Sequence, residues 1–157
     1  MGLDMYFSSN KSFYKHDEKE DKQRKKILKI FPDFPICDNL GYVKVEMEVG
    51  YLRKANQIHK WLVDNIQDGE DECQKSYFPE EKIKELKKVC ERIILDHKLS
   101  ETLLPTGKGF FFGNTDYDEY YFDDLKEMIS ICDNCLKVQK QGWTSYYHSS
   151  WWAKWKN

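Results

Sequence analysis

The stretch Tyr51–Gln67, YLRKANQIHKWLVDNIQ, indicates both the fold class and the place of a candidate site. Read as a helix, at about 100° per residue, it places most of its apolar side chains in one continuous arc. Lys54 falls inside that arc between Trp61 and Asn65, and His59 also falls inside it. A buried cation and a buried imidazole are unfavourable unless each has a partner. The pattern therefore predicts a helix over about 51–67 that either anchors an internal polar network or lines a pocket.

Strands and further helices are predicted on both sides of this helix. Alternating apolar residues indicate strands, and apolar residues three and four apart indicate helices. The predicted strands cover about 2–9, 42–49, 103–113 and 143–152, and the other predicted helices cover about 79–98 and 118–140. Strands at both ends with helices between them predict an α+β fold, a small antiparallel or mixed sheet with about three helices packed on it.

The composition favours one globular domain. The chain has 157 residues, enough to bury a core, and aromatic residues make up 15% of it. The formal net charge of −2 lacks the basic excess of most nucleic-acid-binding proteins, so nucleic acid is not expected as a partner. Mixed charges crowd Lys15–Lys29, which predicts a solvated helix or a mobile insertion.

No membrane or export signal is visible. The apolar runs are too short to cross a bilayer, and the start MGLDMYFSS lacks a basic segment followed by an apolar one. We therefore expect a soluble cytoplasmic protein with no membrane partner, and its five cysteines are expected to be reduced. Cys132 and Cys135 form a lone C-x-x-C on the apolar side of a predicted helix, where core thiols are favoured over a metal site. Zinc needs about four ligands, which only folding could complete.

Catalytic signatures are missing from the sequence. Thr106–Gly109 lacks the spacing of a phosphate-binding loop, and no zinc-protease motif, nucleophile elbow or paired carboxylates occur. No catalytic residue, metal or cofactor is therefore predicted. An enzyme that uses His59 as a general base is the disfavoured alternative.

Several segments together resemble one family. They are the opening MGLDMY, the helix YLRKANQIHKWLVDN, the loop IQDGEDEC, the segments LLPTGKGFFFG and YDEYYFDDL, and the closing YYHSSW. The chain is similar to small uncharacterised proteins of bacteriophages and prophages, whose pattern begins GLDMY and continues YWRKANxIHxWFV. The resemblance covers residues 1–157 as a single domain, except a variable charged insertion at about 10–40. Leu52 and Leu62 replace the family's usual Trp and Phe. The resemblance implies an accessory role in the cytoplasm of a host cell, and it supplies no activity.

The polar residues shared with that family overlap with those that interrupt the apolar arc. Basic and amide side chains near a helix N-terminus hold phosphate, and aromatic rings stack on bases. The predicted ligand-binding residues are Arg53, Lys54, Asn56, His59, Asn65, Tyr120, Tyr147 and Ser149.

Two functions follow as expectations. The first is a phage accessory protein that binds or sequesters an anionic, nucleotide-like small molecule to counter host defence. The alternative is an inhibitor or adaptor that binds a host protein and takes no small-molecule ligand. For that alternative, the segment Asp116–Asp124, DYDEYYFDD, would offer an acidic and aromatic surface. The same acidic residues also suit the start of a helix.

Overall fold

A computed structural model of the protein describes residues 2–31, 41–107 and 115–151. Across these residues the α+β prediction is confirmed, with one four-stranded antiparallel sheet and five helices. The strands are β1 (Asp4–Tyr14), β2 (Tyr42–Arg53), β3 (Ser76–Tyr77) and β4 (Thr144–Ser150). The helices are α1 (Glu18–Ile30), α2 (Asn56–Ile66), α3 (Glu80–Leu95), α4 (Ser100–Leu103) and α5 (Glu119–Gln139). None of these helices is long and apolar enough to cross a membrane.

The sheet order is β2-β1-β4-β3, so β1 and β4, the first and last strands among the described residues, lie side by side in its centre. The short strand β3 pairs antiparallel with β4, with Ser76 opposite Tyr147 and Tyr77 opposite Tyr146. The central position of β4 explains its alternation: Ser145, Tyr147 and Ser149 are buried, whereas the residues between them are partly exposed.

The chain forms two compact units, and each is considered by itself. The larger unit contains residues 1–9 and 48–157, and the smaller unit contains residues 10–47. The smaller unit overlaps with the charged segment at about 10–40, for which the expected insertion into a single domain stays a prediction. Within it, α1 confirms the helical reading of the charged run, and Asp17 caps this helix by accepting the Glu20 N–H at 2.8 Å.

Helices α3 and α5 supply much of the core of the larger unit. Their apolar stripes recur at three- and four-residue spacing and join Phe7 and Tyr147 of the central strands in one cluster. The fully buried stripe residues are Ile83, Leu86, Cys90 and Ile93 in α3, and Leu125, Met128, Cys132 and Cys135 in α5. The two cysteines of the C-x-x-C motif are therefore core thiols, and burial raises the pKa of Cys135 to about 11. The described residues contain no group of three or more side chains placed to hold a metal ion.

The predicted start of the central helix is wrong. Strand β2 continues through Arg53, and α2 begins only at Asn56. Between them, Lys54 adopts a left-handed backbone with φ of 63° and donates its N–H to Leu3 O at 2.8 Å. Lys54 is exposed, so it does not lie in a buried helical arc. Both tyrosine and leucine suit a strand as well as an apolar helix face, which is why the helical pattern extended too far.

Gly50 explains how β2 accommodates the helix packed nearby. A Cβ atom at this position would lie 2.7 Å from Ile131 Cδ1 of α5. Only glycine allows so close an approach of a helix side chain to the strand backbone.

Three short elements were not predicted, namely β3, α4 and a 3-10 turn at His97–Leu99. Each is too short to produce a periodic pattern. Most of the aromatic strand expected over about 103–113 lies outside the described residues, and its first residue belongs to α4.

Candidate functional site

A pocket of about 280 Å³ lies in the larger unit, where β2 leads into α2 and where α5 begins. Its walls have opposite chemical character. One wall consists of Arg53, Lys54, Asn56 and Gln57. The other consists of Asp116, Asp118 and Asp124, with Thr106, Tyr120 and Tyr121 completing the lining.

The basic wall is built by the turn between β2 and α2. Arg53 ends the strand, and its Nε lies 3.6 Å from Asp4 Oδ1, an exposed and therefore weak ion pair. Lys54 forms no ion pair with any residue in the described part of the chain. A Cβ atom on Gly2 would lie 3.1 Å from Lys54 Cε, so the lysine stem crosses the start of the chain closely. Among the described residues, Lys54 therefore lines the pocket without a carboxylate within ion-pair distance.

The backbone of Lys54 is strained. A left-handed conformation costs a residue with a Cβ atom about 1–2 kcal/mol, and such strain concentrates at functional sites. The conformation is required because the chain must turn from β2 into α2 within two residues.

The first turn of α2 contributes amides and a favourable dipole. Ala55 occupies the N-cap position and offers no side-chain acceptor, so the positive end of the helix is not neutralised by a capping side chain. The Asn56 side chain is buried, and its Oδ1 accepts the Gly107 N–H at 2.7 Å, which holds Gly107 beside α2. The adjacent Gln57 is also buried, and its side chain extends to Asp124 on the acidic wall.

The acidic wall belongs to the start of α5. Asp118 is the N-cap of this helix and accepts the Tyr121 N–H at 3.1 Å. Asp124 Oδ2 accepts a hydrogen bond from Gln57 Nε2 at 3.2 Å. Burial raises the pKa of Asp124 from 3.8 to about 6, the bond from Gln57 acts to lower it, and the charges of Asp123 and Asp118 raise it further. Asp124 forms no ion pair with a cation among the described residues.

Two tyrosines at this wall differ in their freedom. Tyr121 is buried, and its hydroxyl donates to Leu104 O at 2.9 Å, so its side chain is held in place by the fold. Tyr120 is 79% exposed at the pocket rim. Its ring lines the pocket and is open to solvent, and aromatic rings of this kind stack on planar groups.

A separate buried network contains three of the other predicted residues. His59 Nδ1 lies 2.7 Å from the Tyr147 hydroxyl, and His59 Nε2 lies 3.0 Å from Asp71 Oδ2. The same Oδ2 accepts the Trp151 Nε1–H at 2.7 Å, and Oδ1 accepts from the Ser149 hydroxyl at 2.9 Å. This network ties α2 and β4 to the acidic loop that contains Asp71.

The charges of this network are settled by its hydrogen bonds. Burial acts to raise the pKa of Asp71, but the bonds from His59, the Cys73 N–H and Ser149 outweigh it and hold that pKa well below 3.8. Burial raises the pKa of Tyr147 well above 10, which keeps the phenol neutral. The ionised Asp71 fixes the imidazole with Nε2–H toward the carboxylate. The described polar groups satisfy one another, as in a structural network.

The structure therefore divides the predicted site residues. Arg53, Lys54, Asn56 and Tyr120 line the pocket, whereas His59, Tyr147 and Ser149 belong to the buried network. Asn65 lies in neither: its Nδ2 donates to Trp61 O at 2.9 Å, and its Oδ1 accepts from Lys82 Nζ at 3.3 Å.

The sequence did not predict Gln57 and Thr106 as pocket residues, nor Asp71 and Trp151 as network residues. Gln57 lies on the helix beside two predicted residues, so its spacing was a usable signal. Asp71 lies in an acidic loop, where only the fold distinguishes it from its neighbours.

No protein-family model, curated protein or solved structure matches the chain in three comparisons with known proteins. The resemblance to phage and prophage proteins stays a prediction.

Proposed function

We propose that the protein is a phage-type accessory protein that binds, and thereby sequesters, an anionic nucleotide-like ligand in the pocket between α2 and α5, so as to counter host defence. The observation that carries the proposal is Lys54, a cation on the pocket wall that has a left-handed backbone and forms no ion pair with the described residues. Arg53 and the positive end of α2 lie beside it, and together they form a suitable environment for a phosphate. The accessory role and the host cytoplasm rest on the resemblance alone.

The opposite wall indicates which further groups the ligand carries. Carboxylates repel the anionic part of a ligand. The part that faces Asp116 and Asp124 must therefore donate hydrogen bonds or carry positive charge. A nucleotide has both ends, since its phosphate is anionic and its base carries N–H donors. The exposed Tyr120 ring offers a stacking surface for that base.

The pocket volume limits the size of the ligand. A volume of about 280 Å³ lies just below the roughly 300–1,000 Å³ of most small-molecule sites. The pocket therefore suits one mononucleotide unit. Sequestration requires complementary binding groups only, and it needs neither a nucleophile nor a metal.

A thermal-shift screen followed by calorimetry tests this function. The screen uses mono-, di- and cyclic nucleotides, dinucleotide cofactors and ADP-ribose derivatives. A ligand present at about 100 times its dissociation constant stabilises the protein by about 2.7 kcal/mol, which is large enough to detect. We expect one class to raise the melting temperature and Lys54→Ala to weaken its binding about tenfold. The matched control is Lys60→Ala, since Lys60 is paired with Asp64 on the same helix at 2.6 Å and does not line the pocket. Failure of every compound to bind would refute the proposal.

The second candidate is an inhibitor or adaptor that binds a host protein, and apolar surface in residues 10–47 supports it. Ile30 is 70% exposed, Phe31 57% and Tyr42 51%, and a groove of about 490 Å³ lies beside them. Clustered exposed apolar side chains mark protein interfaces. The groove is lined by Ile27, Leu28, Phe31, Tyr42, Val43, Lys44, Val45 and Glu46.

The two candidates respond to different substitutions. Under the second candidate, one host protein should be captured stoichiometrically by the wild type and by Lys54→Ala, and lost with Phe31→Ser. Capture that depends on Lys54 and not on Phe31 would argue against this role for the groove.

A further inference from the structure

The acidic wall of the pocket contains a carboxylate that accepts a single hydrogen bond from the described residues. Asp124 lies on α5, partly buried, and its one hydrogen bond within the described residues comes from Gln57 at 3.2 Å. No lysine or arginine of the described chain pairs with it, although Arg53 and Lys54 line the same pocket. A carboxylate has two oxygens and room for about four hydrogen bonds. Gln57 uses one of these positions within the described residues, so the carboxylate can accept further hydrogen bonds from a ligand in the pocket.

The missing partner must present hydrogen-bond donors. An ionised carboxylate offers two acceptors side by side, which match two adjacent N–H groups. Guanine presents such a pair on its base-pairing edge, namely N1–H and the 2-amino group. Adenine and cytosine each place a donor beside an acceptor, and uracil places one donor between two acceptors. Guanine is therefore the common base whose edge fits a lone carboxylate.

Gln57 lies beside this carboxylate and offers a hydrogen-bond donor of its own. Its side chain is buried and holds Asp124 Oδ2, which fixes the orientation of the carboxylate. The amide nitrogen carries two hydrogens, and the bond to Asp124 uses one of them. A donor beside the carboxylate complements the O6 carbonyl that lies next to N1–H in guanine.

We propose that the pocket is specific for a guanine nucleotide and that Asp124 is the specificity-determining residue, accepting hydrogen bonds from guanine N1–H and the 2-amino group. This inference rests on the proposed function, because it assigns the phosphate to the wall of Arg53 and Lys54. Adenine in the same place would set its N1 acceptor against the carboxylate. Sites that lose a buried hydrogen-bond partner in this way reject the wrong ligand strongly.

Calorimetric titration with four 5′-monophosphates, of guanosine, inosine, adenosine and cytidine, tests the assignment on the full chain. We expect guanosine monophosphate to bind at least tenfold more tightly than the adenosine and cytidine compounds. Inosine monophosphate, which has N1–H and lacks the 2-amino group, should fall between them. Asp124→Asn keeps the shape of the side chain and replaces one acceptor by a donor. It should lower the affinity for guanosine monophosphate at least tenfold without lowering the affinity for adenosine monophosphate, since the new amide donor no longer opposes the adenine N1 acceptor.

The neighbouring Asp123 provides the matched control. It is exposed and pairs with Lys126 at 2.7 Å, so Asp123→Asn should preserve the preference for guanine. Circular dichroism on both variants checks that they fold.

The outcomes separate this inference from the proposed function. Equal binding of all four nucleotides, weakened by Lys54→Ala, would keep the proposed function and overturn the role of Asp124. A guanine preference that survives Asp124→Asn would also overturn that role. If the wild type binds none of the four, nor any other nucleotide in the thermal-shift screen, then the proposed function fails and the inference falls with it.

Discussion

At the scale of single residues, Lys54 combines a strained, left-handed backbone with a charge that forms no ion pair among the described residues. Its φ of 63° is a conformation that glycine adopts freely. The side chain makes no ion pair in the described part of the protein. We propose that its ammonium group binds the ligand.

Lys54→Gly tests that explanation. The substitution relieves about 1–2 kcal/mol of strain, and glycine gives back roughly 0.5–1 kcal/mol through the entropy of the unfolded chain. We expect the free energy of unfolding to stay the same or to rise by about 1 kcal/mol, while nucleotide affinity falls about tenfold. Urea denaturation and calorimetry measure the two effects. A destabilised variant with unchanged affinity would show that Lys54 has a structural role.

Asp124 gives a second residue-scale prediction, which concerns pH. Its pKa is about 6 in the folded protein against an ordinary 3.8, mainly because of burial. The folded protein thus holds the proton more tightly than the unfolded chain, so this group favours folding below pH 4 and loses that effect as pH rises through 6. The amide introduced by Asp124→Asn cannot ionise. At pH 7.5 we therefore expect this variant to have a higher free energy of unfolding than the wild type, by roughly 1–3 kcal/mol at most, because solvent screens this partly exposed group.

Urea denaturation of both proteins at pH 4 and pH 7.5 checks this prediction. The difference in stability should be small at pH 4 and largest at pH 7.5. A variant that gains stability while it loses guanine binding is the pattern expected for a functional carboxylate. Loss of stability at pH 7.5 would instead mean that Asp124 supports the fold.

At the scale of elements, the buried network attaches α2 and β4 to the acidic loop. Tyr147 provides the hydroxyl for His59, and Asp71 provides the carboxylate. Tyr147→Phe removes one hydroxyl and leaves His59 Nδ1 buried without that partner. We expect the free energy of unfolding to fall by about 1–3 kcal/mol, and nucleotide affinity to stay within about twofold because none of these residues lines the pocket.

Denaturation and calorimetry on Tyr147→Phe decide between two roles for this network. Preserved stability with lost binding would place His59 and Tyr147 in the ligand site, as the sequence pattern first suggested. We expect lower stability with unchanged binding, which would limit the ligand site to the pocket.

At the scale of the whole molecule, periodicity predicted the fold class and most of the core. The stripes of α3 and α5 and the alternation of β4 are long enough to be read without a structure. The boundary between β2 and α2 was misplaced because Tyr51 and Leu52 satisfy a strand and a helix face equally well. Its position depends on the pairing of Lys54 with Leu3, a contact between distant parts of the sequence.

The candidate site was predicted as one cluster, and the structure separates it into a pocket and a network. Sequence spacing placed Lys54 and His59 on one face, whereas the turn at Lys54 directs the two side chains to different surroundings. The acidic wall was visible as a segment, but its position beside Gln57 depends on a contact between α2 and α5, which are distant in the sequence. Such long-range placement has no local signal.

The most direct test of the account is calorimetric titration of guanosine 5′-monophosphate into the wild type, Lys54→Ala and Lys60→Ala. We expect binding to the wild type, unchanged binding to Lys60→Ala and about tenfold weaker binding to Lys54→Ala. Equal affinity of all three proteins would contradict the assignment of the phosphate to the basic wall. Absence of binding to the wild type, for this nucleotide and for every other one screened, would contradict the pocket as a nucleotide site.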